Sequence, residues 1–403
     1  MTASLTSLDE VLREAMIAHR AGRIAAAEVG YRRVLRQRPE DPRALHFFGL
    51  LLFHQGDCEG GIAHVSRCVQ QDPANARAWN ALGGMFIATG RRSEARETYR
   101  RAAEVAPLLA EGWYNLAICE RDDADIESAV THLRAAIACE PDYARAYEAL
   151  AMLLYQLGRI GDATAIYAQW LERDPSSATA QHMAAAASGE NTPNRASDDY
   201  VRELFDQAAA EFDVRLEQLA YRAHRLVTAA LIERVGQAPS MQPPSAIVLD
   251  AGCGTGLCGP LLRPHCQHLA GVDLSANMVE RARVRNCYDE LSVAELTAFM
   301  RSRPNAFDAV IAVDTFVYFG ELDDVFAAAR ETLRPNGRLV FTVEANDDAD
   351  HRLEFHGRYA HHERYVRAAL AAAGFEIDAL THETLRQERE QDVRGFLAVA
   401  RRR

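Results

Sequence analysis

The segment Asp250-Ala-Gly252-Cys-Gly254-Thr-Gly256 is an acid followed by three glycines at alternate positions. Glycines so spaced permit a tight turn and let backbone N–H groups approach a ligand closely. The loop leaves Ala246-Ile-Val-Leu-Asp250, a short apolar run that reads as a buried strand. Leu269-Ala-Gly-Val-Asp273 is a second such run, ending in an acid 17 residues beyond Gly256. At a strand tip its carboxylate can accept both hydroxyls of a ribose. Read from Gly252, the dinucleotide fingerprint G-x-G-x-x-G fails, because Leu257 stands where its last glycine would fall. Ser292-Val-Ala-Glu295-Leu296 offers an acid to an adenine amino group.

Such a constellation needs a sheet to carry it. Phe307-Asp-Ala-Val-Ile-Ala-Val-Asp314 reads as a fourth strand, and Arg338-Leu-Val-Phe-Thr-Val-Glu344, entered through Pro335-Asn-Gly337, as a fifth. Strands alternating with helical stretches predict an open parallel α/β sheet. In such a sheet the carboxyl ends of the strands border one crevice, so Asp250, the glycines, Asp273, Glu295 and Asp314 would face one ligand.

The first half follows a different rule. Pro39, Pro73, Pro107, Pro141 and Pro175 recur every 34 residues. Small residues keep the same period (Gly49, Gly83, Ala117, Ala151; Ala27, Gly61, Ala95, Ala129, Ala163), as do bulky ones (Tyr31, Val65, Tyr99, Leu133, Tyr167). Each period predicts two amphipathic helices, separated near Gly22, Gly56, Gly90 or Gly158 and stopped by the proline. Stacked pairs then share one continuous core. The expected boundaries are repeats at 8–41, 42–75, 76–109, 110–143 and 144–177, a capping helix to 187, a linker at 188–197 and the α/β region at 198–403.

Composition narrows the function. A net charge of −12 disfavours nucleic acid as a partner. All 45 Lys+Arg residues are arginine, which excludes Schiff-base chemistry and a phosphate-loop lysine. Met1 to Gly22 lacks the apolar centre of a signal peptide, and no run of eighteen apolar residues occurs, so a cytoplasmic protein is expected. The eight cysteines form no C-x-x-C pair, and neither a metal site nor a disulfide framework is expected.

The repeats resemble the tetratricopeptide repeat, in five copies in register. The resemblance implies an α-solenoid whose concave face binds proteins or peptides, with His46, Phe53, Asn80, Tyr114, Arg121, Glu148 and Tyr155 expected on it. The glycine loop and strand acids resemble the class I S-adenosylmethionine-dependent methyltransferases. That family implies a Rossmann-like sheet of seven strands in the order 3-2-1-4-5-7-6, the seventh antiparallel. Carried onto this chain, Gly252, Gly254 and Gly256 would cradle the methionine part of the cofactor, and Asp250 would support the loop. Asp273 would hold the ribose, Met278 would pack near the adenine, and Glu295 would meet its amino group. Tyr200-Val-Arg-Glu-Leu-Phe205-Asp, Phe212-Asp and Leu219-Ala-Tyr221-Arg222 resemble the helical lid, at 198–236, of a bacterial group that fuses these repeats to a methyltransferase. Gly357-Arg358-Tyr359-Ala-His361 is similar to a segment of the same group.

Methyl transfer from a sulfonium is an in-line displacement that rests on alignment, desolvation and, for a protonated acceptor, a base. Tyr200, Phe205, Tyr318 and Phe319 are aromatic candidates for the lid and the sulfonium. His361 is the first candidate base, with His362, Tyr359, Tyr318 and Asp314 behind it. An Asn- or Asp-Pro-Pro-aromatic motif is absent after strand 4, which reads Asp314-Thr-Phe-Val, and so is a Pro-Cys nucleophile. The leading expectation is methylation of a protein or peptide docked on the repeats, which raises the effective concentration of the substrate. The alternatives are a small-molecule methyltransferase with the repeats serving assembly or localisation, and a cofactor-binding scaffold without turnover.

Overall fold

The computed structural model of the protein describes residues 7–236, 245–388 and 391–403. The first residues of the segment read for a signal peptide, 1–6, and the stretches 237–244 and 389–390 of the predicted α/β region lie outside them. The chain divides into two compact units, Met1–Asp174 and Pro175–Arg403.

The first unit consists, among the described residues, of five helical hairpins. They are α1 (Leu8–Arg20) with α2 (Ile24–Gln37), α3 (Pro42–His54) with α4 (Cys58–Gln71), α5 (Ala76–Ala88) with α6 (Arg92–Val105), α7 (Ala110–Asp122) with α8 (Ile126–Cys139), and α9 (Ala144–Gln156) with α10 (Ile160–Arg173). Each periodic proline stands two residues past the second helix of its pair. It keeps the residue before it out of the helical region, with φ −129° at Arg38, −131° at Asp72 and −136° at Ala106. Asp41 caps α3 by accepting from the Arg43 and Ala44 amides at 3.1 Å. The small and bulky series meet each other. A Cβ on Gly83 would lie 2.5 Å from the Tyr99 ring, and one on Gly49 would lie 2.6 Å from Val65. The indoles of Trp79 and Trp113 each donate at 2.9 Å to the carbonyl of the proline six residues before them.

The second unit opens with α11 (Ala178–Ser188), followed by α12 (Asp198–Ala208), α13 (Phe212–Gln218) and α14 (Ala223–Gly236). The helix expected to cap the repeats, α11, is therefore counted with the α/β unit. There His182 Nε2 bonds the Gly357 carbonyl at 2.9 Å, and its ring stacks on Tyr200 at 4.0 Å. The strands are β1 (Ala246–Ala251), β2 (Cys266–Asp273), β3 (Glu290–Val293), β4 (Phe307–Ala312), β5 (Leu333–Ala345), β6 (His351–Leu353), β7 (Tyr359–His361), β8 (Phe375–Glu388) and β9 (Gln391–Arg402). Between them run α15 (Gly259–Leu262), α16 (Ala276–Val284), α17 (Leu296–Arg301), α18 (Asp323–Thr332) and α19 (Glu363–Ala372).

The main sheet reads β3-β2-β1-β4-β5-β9-β8, with β9 antiparallel to both neighbours. This is the expected seven-strand order. The difference is a short hairpin, β6–β7, whose second strand joins the end of β5 at Glu344 and Ala345. β1 and β4 are apolar almost throughout because both sheet faces are covered. Val248, Ile311 and Val340 pack with Val227 and Leu231 of α14. Leu249, Val310 and Phe341 pack on the other side with Phe299, Phe326 and Leu370 of α17, α18 and α19.

Candidate functional site

β1 stops at Ala251, and the chain turns through Gly252, Gly254 and Gly256, with φ of 79°, 51° and 82°. A side chain is excluded at Gly252, where a Cβ would lie 2.2 Å from Thr315 Oγ1. Asp273, at the tip of β2, fixes this loop: Oδ2 accepts from the Gly254 amide and Oδ1 from the Ser275 amide, both at 2.9 Å. Asp250 is buried and accepts from the Tyr288 hydroxyl at 2.6 Å. Burial raises its carboxyl to about 7, the Tyr288 hydrogen bond opposing and Asp273 adding to the rise. Burial also raises the Asp273 carboxyl, against its amide hydrogen bonds.

These groups border a cavity of about 270 Å³ within the second unit. Its roof is α12 and α13, which contribute Leu204, Phe205, Phe212 and Leu216. Two lid carboxylates tie that roof down. Asp206 accepts from Ser275 Oγ at 2.5 Å, while Asp213 accepts from Thr255 Oγ1 at 2.5 Å and pairs with Arg285. The residues expected to form a lid therefore do cover the loop, although Tyr200 is buried against His182 and does not line the cavity.

The other expected residues separate. Tyr318 and Phe319 line the cavity, and burial pushes the Tyr318 hydroxyl up to about 12. Asp314 also lines it, with a left-handed φ of 49°. Its carboxylate accepts from Thr342 Oγ1 at 2.9 Å and faces Arg386 Nη1 at 3.5 Å. Glu295 borders the cavity, but its oxygens are engaged. It caps α17 through the Thr297 amide at 3.1 Å and the Ala298 amide at 2.7 Å, and pairs with Arg195 Nη1 at 2.8 Å. Burial opposes ionisation here, yet Thr297, Ala298 and Arg195 hold the carboxyl below its usual range. Met278 is fully buried and is not among the lining residues; Leu274, next to Asp273, is.

His361, the first candidate base, has a different place. It is fully buried on β7, and Nε2 donates to the Phe319 carbonyl at 2.8 Å and lies 3.2 Å from that of Gly320. It is absent from the cavity wall, and burial lowers its pKa to about 4. His362 instead caps α19, and the Tyr359 hydroxyl donates to the Pro193 carbonyl at 2.6 Å. The histidine that does line the cavity is His224 of α14, stacked on Tyr221 with ring centroids 5.3 Å apart and with Nδ1 buried and unpartnered. Burial, then Arg225 and Arg285, lower its pKa.

A buried ionic cluster also adjoins the cavity, and neither its pairing nor its place was legible in the spacing. Arg358 and Arg386 line the wall. Behind them Glu344 pairs with Arg386 and lies 2.8 Å from Arg358 Nε, and Glu388 lies 2.7 Å from Arg386 Nε and 2.6 Å from Arg358 Nη2. Burial alone would raise the Glu344 carboxyl, but Arg358 and Arg386 hold it at about 2.

Comparison with known proteins gives each unit a relative. Residues 249–341 match the methyltransferase domain family, and residues 12–76, 48–109 and 114–178 match the tetratricopeptide repeat. Human methyltransferase-like protein 27 is 33% identical over 145 residues, covering 36% of this chain and 57% of that protein. The malonyl-[acyl-carrier protein] O-methyltransferase of Geobacter sulfurreducens is 29% identical over 224 residues, covering 50% and 79%. The structure of magnesium protoporphyrin IX methyltransferase from Synechocystis PCC 6803, with bound SAH, has 17% identity and a TM-score of 0.40, covering 51% of this chain and 99% of that one. The chain spans little more than half the length of the human relative.

Proposed function

From a chain that joins a tetratricopeptide-repeat region to a class I S-adenosylmethionine-dependent methyltransferase domain, we propose an enzyme that methylates an acceptor presented by a protein docked on the repeats. The observation that carries the catalytic part is the clasp of Asp273 on the glycine loop at the edge of the cavity. The residues fit the cofactor. A Cβ on Gly254 would meet nothing within 4 Å, so the backbone there borders open space that a ligand can fill. Asp273 keeps lone pairs for ribose hydroxyls beyond its two amide bonds. Glu295, already spent on a cap and an ion pair, contributes to an adenine pocket as its wall. Leu274 and Leu296 supply apolar surface beside it.

When bound, the cofactor supplies an electrophilic methyl group on a sulfonium. The chain aligns the acceptor, excludes water and stabilises the cation. Phe205, Phe212, Tyr221, Tyr318 and Phe319 surround the cavity with aromatic faces suited to a sulfonium. The tied-down α12 and α13 exclude water, which strengthens every electrostatic contact inside.

Support for the docked partner is separate. Asn80 lies on α5, the first helix of its hairpin, and both atoms of its buried amide lack a hydrogen-bond partner. An unsatisfied amide of this kind is a group that a bound ligand or an ordered water would satisfy. Arg121, Glu148 and Tyr155 are exposed, whereas His46 and Phe53 are half-buried and Tyr114 is packed under Arg145. The malonyl-[acyl-carrier protein] enzyme, whose named substrate is carried on a protein, is consistent with an acceptor delivered in this way.

Asp273→Ala tests the site. Calorimetry of the full chain with S-adenosylmethionine should show affinity lowered by at least about tenfold, the loss of one or two charge-assisted hydrogen bonds. Unchanged affinity would contradict the assignment.

A further inference from the structure

The polar groups of the cavity are unevenly satisfied. Every acid on the wall is engaged. Asp198 pairs with Arg195, Asp250 holds the Tyr288 hydroxyl, and Asp273 holds two amides. Glu295 is a cap, and Asp314 is held by Thr342 and Arg386. Arg386 is likewise spent, surrounded by Glu344, Glu388 and Asp314.

Arg215 of α13 also lines the cavity but is an exposed side chain, whereas Arg358 is more deeply set. Arg358 Nη2 donates to Glu388 at 2.6 Å, and Nε lies 2.8 Å from Glu344 without the alignment of a hydrogen bond. Among the described residues Nη1 makes no hydrogen bond, although the side chain is buried enough to be only 24% exposed. Glu344 and Glu388 are not lining residues, so the surface turned to the cavity is guanidinium, with its counter-charges behind it. Those carboxylates hold the fork in place, as a binding arginine requires.

We propose that the acceptor is a carboxylate, held by Arg358 Nη1 through one oxygen and methylated on the other. The proposal rests on the methyl-transfer reading above and adds the substrate class. The free oxygen forms an O–CH3 bond as the S–CH3 bond breaks, and sulfur keeps the electron pair as a neutral thioether. The carboxylate loses its charge in becoming an ester. No proton moves, so no general base is needed. This agrees with a cavity from which His361 is excluded. The cavity wall also carries apolar and aromatic surface, including Leu204, Phe205, Leu216 and Tyr318, which suits an acid borne on an apolar chain. His224 and Asp314 also face the cavity, and a protonated amine or hydroxyl acceptor would call on one of them as base.

The bond formed decides between these. The full chain is incubated with methyl-labelled S-adenosylmethionine and an extract of its own cells, and the labelled product is treated with mild alkali. A methyl ester releases its label as volatile methanol, whereas an N-methyl or ether product retains it. Volatile label is expected. Alkali-stable label overturns the carboxylate while leaving methyl transfer intact, and absence of label with cofactor bound counts against the function itself. A second readout needs no turnover. With S-adenosylhomocysteine present, calorimetry should show hexanoate binding more tightly than hexylamine, and Arg358→Gln lowering hexanoate affinity by at least about tenfold. Arg358→Lys, which keeps the charge, should retain part of it. Cofactor affinity equal to wild type establishes that each variant is folded. Hexylamine binding preferentially, or hexanoate affinity unmoved in the folded Arg358→Gln protein, would overturn the proposal.

Discussion

The two units of this chain differ in how much charge they bury: among the described residues of the repeats Glu120, paired with His132 at 2.6 Å, is the one buried carboxylate. In the repeats, small and bulky residues interlock inside each hairpin, while ion pairs such as Arg43–Asp9 and Arg67–Glu40 lie on the surface. In the α/β unit, Asp250, Glu344, His361 and Arg386 are buried. The repeats draw their stability from shape repeated at a fixed interval. The second unit accepts the desolvation of charges, and it does so around its cavity, where such groups are able to act on a ligand.

That contrast is most exposed at Glu344. Glu344→Ala would leave Arg358 and Arg386 short of a shared counter-charge, destabilising the second unit by roughly 3–5 kcal/mol. Denaturant unfolding followed separately for the two units should show only the second transition move.

The pH dependence sharpens the same point. Glu344 has its carboxyl held at about 2, so its stabilising contribution is complete above the unfolded value and is lost as pH falls toward 2. Asp250 has the opposite sign. Its folded-state value of about 7 means that the native protein binds more protons than the unfolded chain from about pH 4 to 7, so stability falls as pH rises through that window. Asp250→Asn, which can still accept from Tyr288, should flatten that decline in a pH series of unfolding midpoints. An unchanged slope would place Asp250 in a more solvated setting.

Within the repeats the sensitive property is volume. Gly83→Ala drives a methyl against the Tyr99 ring and should cost about 1–3 kcal/mol in the first transition. A smaller effect of opposite sign is expected at Ala124. It holds φ at 63° where the other repeats have Gly22, Gly56, Gly90 and Gly158. Ala124→Gly should raise the midpoint by the equivalent of about 1 kcal/mol. A loss of stability there would mean that the methyl group contributes more packing than its backbone strain costs.

The repeats were legible because their information is periodic and local. One period of 34 residues located the prolines, the turns and the interlocking pairs. The glycine loop and Asp273 were legible because they lie at strand ends, where the chain itself says which way the side chains gather. The ionic cluster was not. Glu344, Arg358 and Arg386 come from β5, the loop before β7 and β8, and no spacing announces that register. His361 was misplaced for a related reason. Its imidazole type made it a candidate base, but the segment after β5 folds into the β6–β7 hairpin, and pairing with β5 buries the ring. The helical pattern of residues 178–187 continued the repeats and gave no sign that His182 of α11 would hold the Gly357 carbonyl, next to Arg358. Removing residues 1–190 would therefore disturb the catalytic unit as well as the repeats, and substitutions on the repeats separate the two more cleanly.

The most direct test of the account is methyl-labelling of a desalted proteome, and separately of a small-molecule extract, by the full chain, by Asn80→Ala and by Asp273→Ala. The account predicts label in protein, reduced by Asn80→Ala at unchanged cofactor affinity and lost in Asp273→Ala. Label confined to small molecules, and equal for Asn80→Ala and the unaltered chain, would contradict it.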